Sequence, residues 1–320
     1  MSWKPYLKKL RNRTFEQMKC KKILIVLISI ITLVICFEVS NGANIKYLFA
    51  GMRYGISGSN NGDIVFSKDS GFYKEEFKLC LYAPTKEIYY TLDGSEPDKN
   101  SLKYEGAIIV KDASENENIY SSYADVTARF LEEEIIKNGG DAQKEPIYQI
   151  PTENVDKCNV VKAVYYDKSG KKSQVDEKIY FVGFEEKSGY DNVNIISITT
   201  EPDNLFDSEK GIYVLGNIYK EFSENEISDE YWAKAYWNHW DANYNQRGIE
   251  WERECNIQIF DTEKKLVLSQ DAGVRIQGGG SRGFLPKSLN IYAREKYGSD
   301  KLWYDFFGTG YYPKRVTLSN

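Results

Sequence analysis

The sequence predicts a transmembrane helix near the N-terminus, then an all-β sandwich, then a body of mixed α and β structure. Three observations lead there: an uncharged apolar run at residues 23–37, a series of short Val-, Ile-, Tyr- and Phe-rich runs between 64 and 183, and a change to mixed texture from about 190 onward. A length of 320 residues has room for about two domains of roughly 150 residues, each large enough to bury a core.

Residues 1–22 hold eight Lys/Arg and one Glu, so the rest of the chain carries 34 basic against 46 acidic groups. An acidic body lacks the positive face needed to displace phosphate counterions, which argues against non-specific nucleic-acid binding, and no nucleic-acid partner is expected. His239 is the one histidine, so a two-histidine zinc site cannot be built from one chain. The five cysteines show no CxxC spacing.

Ile23–Phe37 is fifteen residues long with Lys19, Lys21 and Lys22 before it and Glu38 after it. As a helix it spans about 22 Å, short of a roughly 30 Å hydrocarbon core unless flanking residues to 39 and snorkelling lysines extend it. The expectation is a helix over 23–39 inserted in the lipid bilayer, with residues 1–22 cytoplasmic and the body extracellular by the positive-inside rule. The alternative is a signal peptide cleaved near Ser40-Asn41-Gly42, which would secrete the body. Residues 40–63, rich in Gly and poor in charge, read as a linker.

From 64 to 183 the candidate strands are Phe77–Tyr82, Ile88–Leu92, Ala107–Val110, Val160–Tyr166 and Lys178–Val182, an antiparallel pattern. Between them, 113–159 is polar and acidic, with one or two helical turns expected at 131–137. Cys80 and Cys158 flank strands and are either a pair across the sandwich or two free thiols. Ile88-Tyr-Tyr-Thr-Leu-Asp-Gly-Ser-Glu-Pro97 is a strand running into an Asp-Gly turn that Pro97 stops. With these residues the stretch resembles the chitobiase/β-hexosaminidase C-terminal type of immunoglobulin/fibronectin-like sandwich, also called GH29D-like or fibronectin-III-associated. The resemblance implies an accessory module of surface proteins. Asp93 and Glu96 read as turn-forming, solvated carboxylates, with a calcium or sugar contact as the alternative.

Past 190, strands are expected at Val193–Thr199, Ile257–Asp261, Val274–Gln277 and Leu289–Ala293, with another opening within 312–320. Gly278, Gly279, Gly280, Ser281, Arg282 and Gly283 lie in a loop between two of them, followed by Lys287. Glycines let backbone N–H groups approach a phosphate, and a nearby Lys or Arg supplies charge; a plain turn beside a solvated charged face, with Arg275, Arg282, Lys287 and Arg294 opposite Glu250, Glu252 and Glu254, reads the same residues equally well.

Asn194-Ile-Ile-Ser-Ile, Asn204-Leu-Phe-Asp, Gly211-Ile-Tyr-Val, GIEWER, GVRIQGGGSRG and PKSLNIYAR occur in this order over 190–310. Together they resemble the spore coat protein H (CotH) kinase family. That resemblance implies an α+β kinase-like domain over 190–320, ATP and Mg as cofactors, and nucleotide contacts from Arg275, Gly278, Gly279, Gly280, Ser281, Arg282 and Lys287. No motif able to hold two Mg ions follows PKSL, so the kinase-like domain is expected to be incomplete and this chain to lack phosphotransfer on its own. The rival reading is a surface protein that binds cell-wall glycan through Trp232, Trp237, Trp240, Trp251 and Trp303. Hydrolysis by Glu250, Glu252 and Glu254 is a third option, weakened because such an alternating row on one strand face is ordinarily solvated. His239 reads as structural.

Overall fold

The structure is a computed structural model that describes residues 64–120, 136, 139–141, 151–224 and 241–319. The basic segment 1–22, the apolar run and linker, most of 131–137, and Trp232, Trp237, His239 and Trp240 lie outside the described residues. Among the described residues no helix is long and apolar enough to cross a membrane.

The first body contains β1 (Val65–Phe66), β2 (Gly71–Tyr73), β3 (Phe77–Leu79), β4 (Leu81–Tyr82), β5 (Ile88–Thr91), β6 (Leu102–Lys103), β7 (Ile108–Val110), β8 (Asn159–Tyr165) and β9 (Asp176–Val182). One sheet has the order β2-β9-β8-β5-β6; β1-β4 and β3-β7 form two small sheets. Phe66, Leu79, Leu81, Ile88, Val110, Val161, Ala163 and Tyr180 from all three meet in one buried cluster, which makes the body a sandwich.

Two details depart from the sequence reading. The run 77–82 is two strands, because at Cys80 the chain changes partner: Cys80 N–H donates to Ser67 Oγ at 2.8 Å, and the halves pair with β7 and β1 respectively. The sandwich is also not wholly antiparallel. β2 pairs with β9 in parallel, as it can because these two strands meet at an edge with no hairpin between them. β9 is buried on both faces: Tyr180 and Val182 enter the sandwich core, while Ile179 and Phe181 face the second body. That explains why residues 179–182, IYFV, are a continuous apolar run rather than an alternation.

The second body is a five-stranded antiparallel meander, β10 (Ile195–Thr199), β11 (Arg253–Phe260), β12 (Leu266–Ile276), β13 (Leu289–Tyr292) and β14 (Arg315–Leu318), neighbours in sequence being neighbours in space. Among the described residues two helices, α1 (Pro202–Phe206) and α2 (Gly216–Glu224), lie between β10 and β11. Ile257, Ile259, Val274, Ile276 and Ile291 pack on one sheet face with Leu215, Tyr244 and Leu302. Val274–Gln277 proves to be the end of an eleven-residue strand. The segment before β11 is not a strand carrying three glutamates on one face. Gly248 at φ 101° leads into a 3-10 turn over Ile249–Trp251, and of the three only Glu254 lies in β11.

The bodies meet at an aromatic joint. Phe72 stacks on Phe181 at 4.5 Å, and both rings contact Phe260 edge-on at 5.5 Å. Lys264, in the β11–β12 turn, lies 5.7 Å from the Phe72 centroid and donates to the carbonyls of Tyr190 and Val193, in the segment that leads into β10.

Candidate functional site

The glycine-rich loop joins β12 to β13 and folds as a 3-10 turn over Gly280–Gly283. Gly278 has φ 119°, a value side chains disfavour, and a Cβ there would sit 2.3 Å from Ser281 Oγ. Arg282 does not project outward. Its guanidinium donates to the carbonyls of Gly278 (2.8 Å), Ile276 (2.8 Å), Tyr244 (2.8 Å) and Gln246 (3.0 Å), tying the loop to the 3-10 turn at Asn243–Asn245. Burial, together with Arg247 and Arg275 nearby, pushes its pKa down to about 10. Lys287 is buried too, its Nζ donating to Arg282 O at 2.7 Å and lying 3.9 Å from the centroid of the Tyr244 ring. Burial, then the Arg282 charge, holds its ammonium well below the ordinary lysine range.

The residues assigned to phosphate by resemblance therefore do not fit a nucleotide in this arrangement. Arg282 gives four of its five N–H donors to backbone carbonyls, and Lys287 is enclosed beneath a ring. Arg275 donates to Gly248 O at 2.8 Å and stacks 4.2 Å from the Tyr292 centroid. Gly279 has open space around it, and Gly280, Ser281 and Gly283 form the turn itself. Residue type and spacing bring these cations to one loop, and in this structure Arg282 and Lys287 turn inward, onto backbone carbonyls and beneath Tyr244.

The other motif residues also hold the chain to itself. Asp207 Oδ1 accepts from the N–H groups of Glu209 and Lys210, both at 2.9 Å. Gly211 has no room for a Cβ, which would fall 2.4 Å from Asp207 O. Buried Asn243 donates to Ser208 O and Gly211 O at 3.0 and 3.1 Å. Glu252, in the GIEWER run, has no exposed side-chain surface. It takes two 2.7 Å bonds from Arg294 and a 3.2 Å bond from Tyr297, with Lys296 at 3.4 Å. Burial raises its pKa, but the Arg294 bonds and charge outweigh burial and leave it below the usual carboxylate range. A buried, fully paired carboxylate of this kind is a structural node rather than a solvated charge or a general acid.

A second site, not foreseen from the sequence, lies where the bodies face each other. β11 alternates: Cys255, Ile257 and Ile259 enter the core, while Glu254, Asn256 and Gln258 point the other way. Those three, with Thr199 of β10 and Ser269 and Asp271 of β12, form the floor of a cleft of about 380 Å³. The sandwich supplies the opposite wall with Lys162 and Glu177. Lys162 is 7 % exposed and stands between Glu201 at 3.4 Å and Glu177 at 3.8 Å. Burial raises the pKa of Glu177 and of Glu201, opposed in both by the Lys162 charge. Across the floor Asn256 donates to Asp271 at 2.8 Å. The polar alternation of β11 and the lone lysine in Val160-Val-Lys-Ala-Val164 are the signals by which the sequence could have revealed this cleft.

Trp303 is 56 % exposed, and its Nε1 donates to Ser299 Oγ at 2.8 Å, fixing the ring beside Tyr312 at 5.3 Å. Trp251 is partly buried in the second body's core, with Arg253 5.2 Å from its centroid. Cys80, Cys158 and Cys255 are free thiols, so of the two readings of Cys80 and Cys158 the structure has the unpaired one.

A family model described as Fn3 associated matches residues 78–180, which lie within the sandwich and make up about a third of the chain. The match supports the sandwich resemblance at that level and does not extend to the second body. No curated protein and no solved structure matches the chain.

Proposed function

We propose that this is a surface-facing protein of the CotH type, anchored in the bilayer through residues 23–39, in which the sandwich and the meander act together as a binding unit and the glycine-rich loop takes up no ATP. The observation carrying this reading is the inward state of the loop's two cations. Arg282 serves four carbonyls, and Lys287 is closed in under Tyr244. A phosphate at the loop would have to displace those bonds and draw a desolvated amine outward, which costs more than an open phosphate loop would. The test is a calorimetric titration of the full chain in lipid nanodiscs with ATP and Mg. No saturable heat up to millimolar ATP is expected; Mg-dependent saturation, or phosphate transfer to an added acceptor protein, would overturn the reading.

The oriented, exposed ring of Trp303 beside Tyr312 favours a second reading, stacking on cell-wall glycan. Pull-down on insoluble cell wall that survives Trp303→Ala unchanged would remove it.

A further inference from the structure

We infer that the cleft between the sandwich and the meander binds a ligand through an ammonium group, carried on an amino sugar or a small polyamine. Three observations converge there. The first is charge. Among the described residues six carboxylates line the cleft (Glu96, Asp176, Glu177, Glu201, Glu254 and Asp271) against the one ammonium of Lys162.

The second is unmet hydrogen bonding. Among the described residues four buried side-chain polar atoms have no partner, and three of them, Glu177 Oε1, Thr199 Oγ1 and Gln258 Oε1, belong to cleft residues. Gln258 is 2 % exposed and Thr199 7 %. The Thr199 hydroxyl lies near enough to Glu177 to lower that carboxyl's pKa without making a bond of good geometry. Buried polar atoms rarely stay unpaired, so three at one place mark a spot where a donor belongs. The Glu177 and Gln258 oxygens accept only, the Thr199 hydroxyl can accept as well as donate, and an ammonium is a pure donor with three N–H groups.

The third is the make-up of the walls. The cavity volume falls in the range of about 300–1,000 Å³ usual for small-molecule sites, and it lies between two bodies, a preferred location. Among the described residues no aromatic side chain lines it, which disfavours recognition by stacking on a sugar face. Among the described residues no three His, Cys, Asp or Glu converge as a metal site would require, so the carboxylates are spread to meet donors distributed over an organic ligand. Lys162 occupies two of them and shows that the cleft already accommodates one ammonium. This inference stands apart from the ATP question: the cleft is on the β10–β11–β12 floor, and neither outcome of the nucleotide titration bears on it.

The experiment is titration of the full chain in nanodiscs with glucosamine, putrescine and N-acetylglucosamine at pH 7. Saturable binding of glucosamine, putrescine or both, with N-acetylglucosamine at least about tenfold weaker, is expected, since acetylation removes the charge. The pattern between the first two identifies the source, sugar or polyamine. Asp271→Asn should weaken amine binding about tenfold, and Lys162→Met, which frees Glu177 and Glu201, should strengthen it by a similar factor. A purely structural cleft would give no such opposed pair. Absence of saturable amine binding, equal binding of the N-acetylated sugar, or indifference to Asp271→Asn would overturn the inference, and Asp271→Asn keeps the test decisive if Lys162→Met fails to fold.

Discussion

Glu252→Gln isolates the carboxylate that organises the turn into β11. Glu252 accepts two 2.7 Å bonds from Arg294 and one of 3.2 Å from Tyr297, and a Cβ added to Gly273 would meet its side chain at 2.7 Å, so it lies flat on the sheet. A glutamine keeps one acceptor oxygen but points an NH2 at a guanidinium, so at least one charge-assisted bond is lost, about 1.5–3 kcal/mol. Arg294 is 33 % exposed and Lys296 48 %, so water screens part of that loss. The expectation is about 2 kcal/mol, or about 4–8 °C in melting temperature for a folded part of this size. Thermal and urea melts of the wild-type chain and the variant, at pH 7 and at pH 3.5, measure it. The folded carboxyl has a lowered pKa while the unfolded one titrates near about 4.3. Its contribution is therefore complete above about pH 4.3 and is lost as pH falls through the folded value, so the gap between the two proteins should narrow only at acid pH. A gap under about 0.5 kcal/mol at pH 7, or one equally wide at pH 3.5, would refute the assignment of Glu252 as a paired node.

Phe260→Ala should cost about 3–5 kcal/mol and open the joint to limited proteolysis between 184 and 194, because Phe72 and Phe181 lose the ring they both touch. Gly216→Ala should destabilise by more than about 1 kcal/mol in urea, since Gly216 has φ 66° and a Cβ would fall 2.2 Å from the Asn243 side chain. Burial pushes the Cys158 thiol up to about 11 and the Cys255 thiol up to about 12, so iodoacetamide at pH 8 should label both slowly in the native chain and quickly after denaturation, read by peptide mass.

The parts of this structure that follow local patterns were legible in the sequence. Period-two and apolar runs marked β5, β7, β8, β9, β10 and β13 to within a residue or two, and Asp93 closes its turn onto Ser95 as an Asp-Gly pair suggests. What stayed hidden depends on the third dimension. β1 and β6 are two residues each, too short to show a period. GIEWERE alternates like a strand, but Gly248 turns the backbone and Arg253 donates to Glu250 O at 2.8 Å, which locks a tight turn instead. The loop cations illustrate the limit most clearly. Residue type and glycine spacing placed Arg282 and Lys287 in one loop, yet whether a cation faces solvent or a neighbouring carbonyl is decided by Tyr244 and Gln246, some forty residues earlier. The cleft left only indirect signs for a related reason, since Lys162 and Gln258 come from different bodies and meet only after both have folded.

The two-faced strand β11 also bears on how this protein can change over evolutionary time. Its residues serve the core and the cleft floor alternately, so deletion or insertion of a single residue upstream of Ile257 would trade one set for the other, turning Glu254, Asn256 and Gln258 into the core and Ile257 and Ile259 onto the cleft. Point substitutions can retune the floor one position at a time, because each floor residue has no share in the core. Length changes cannot. Lineages of this chain should therefore change those three polar residues one position at a time, within the polar character the cleft needs, while holding the spacing from Arg253 to Phe260 fixed, with indels displaced to the β11–β12 turn and beyond.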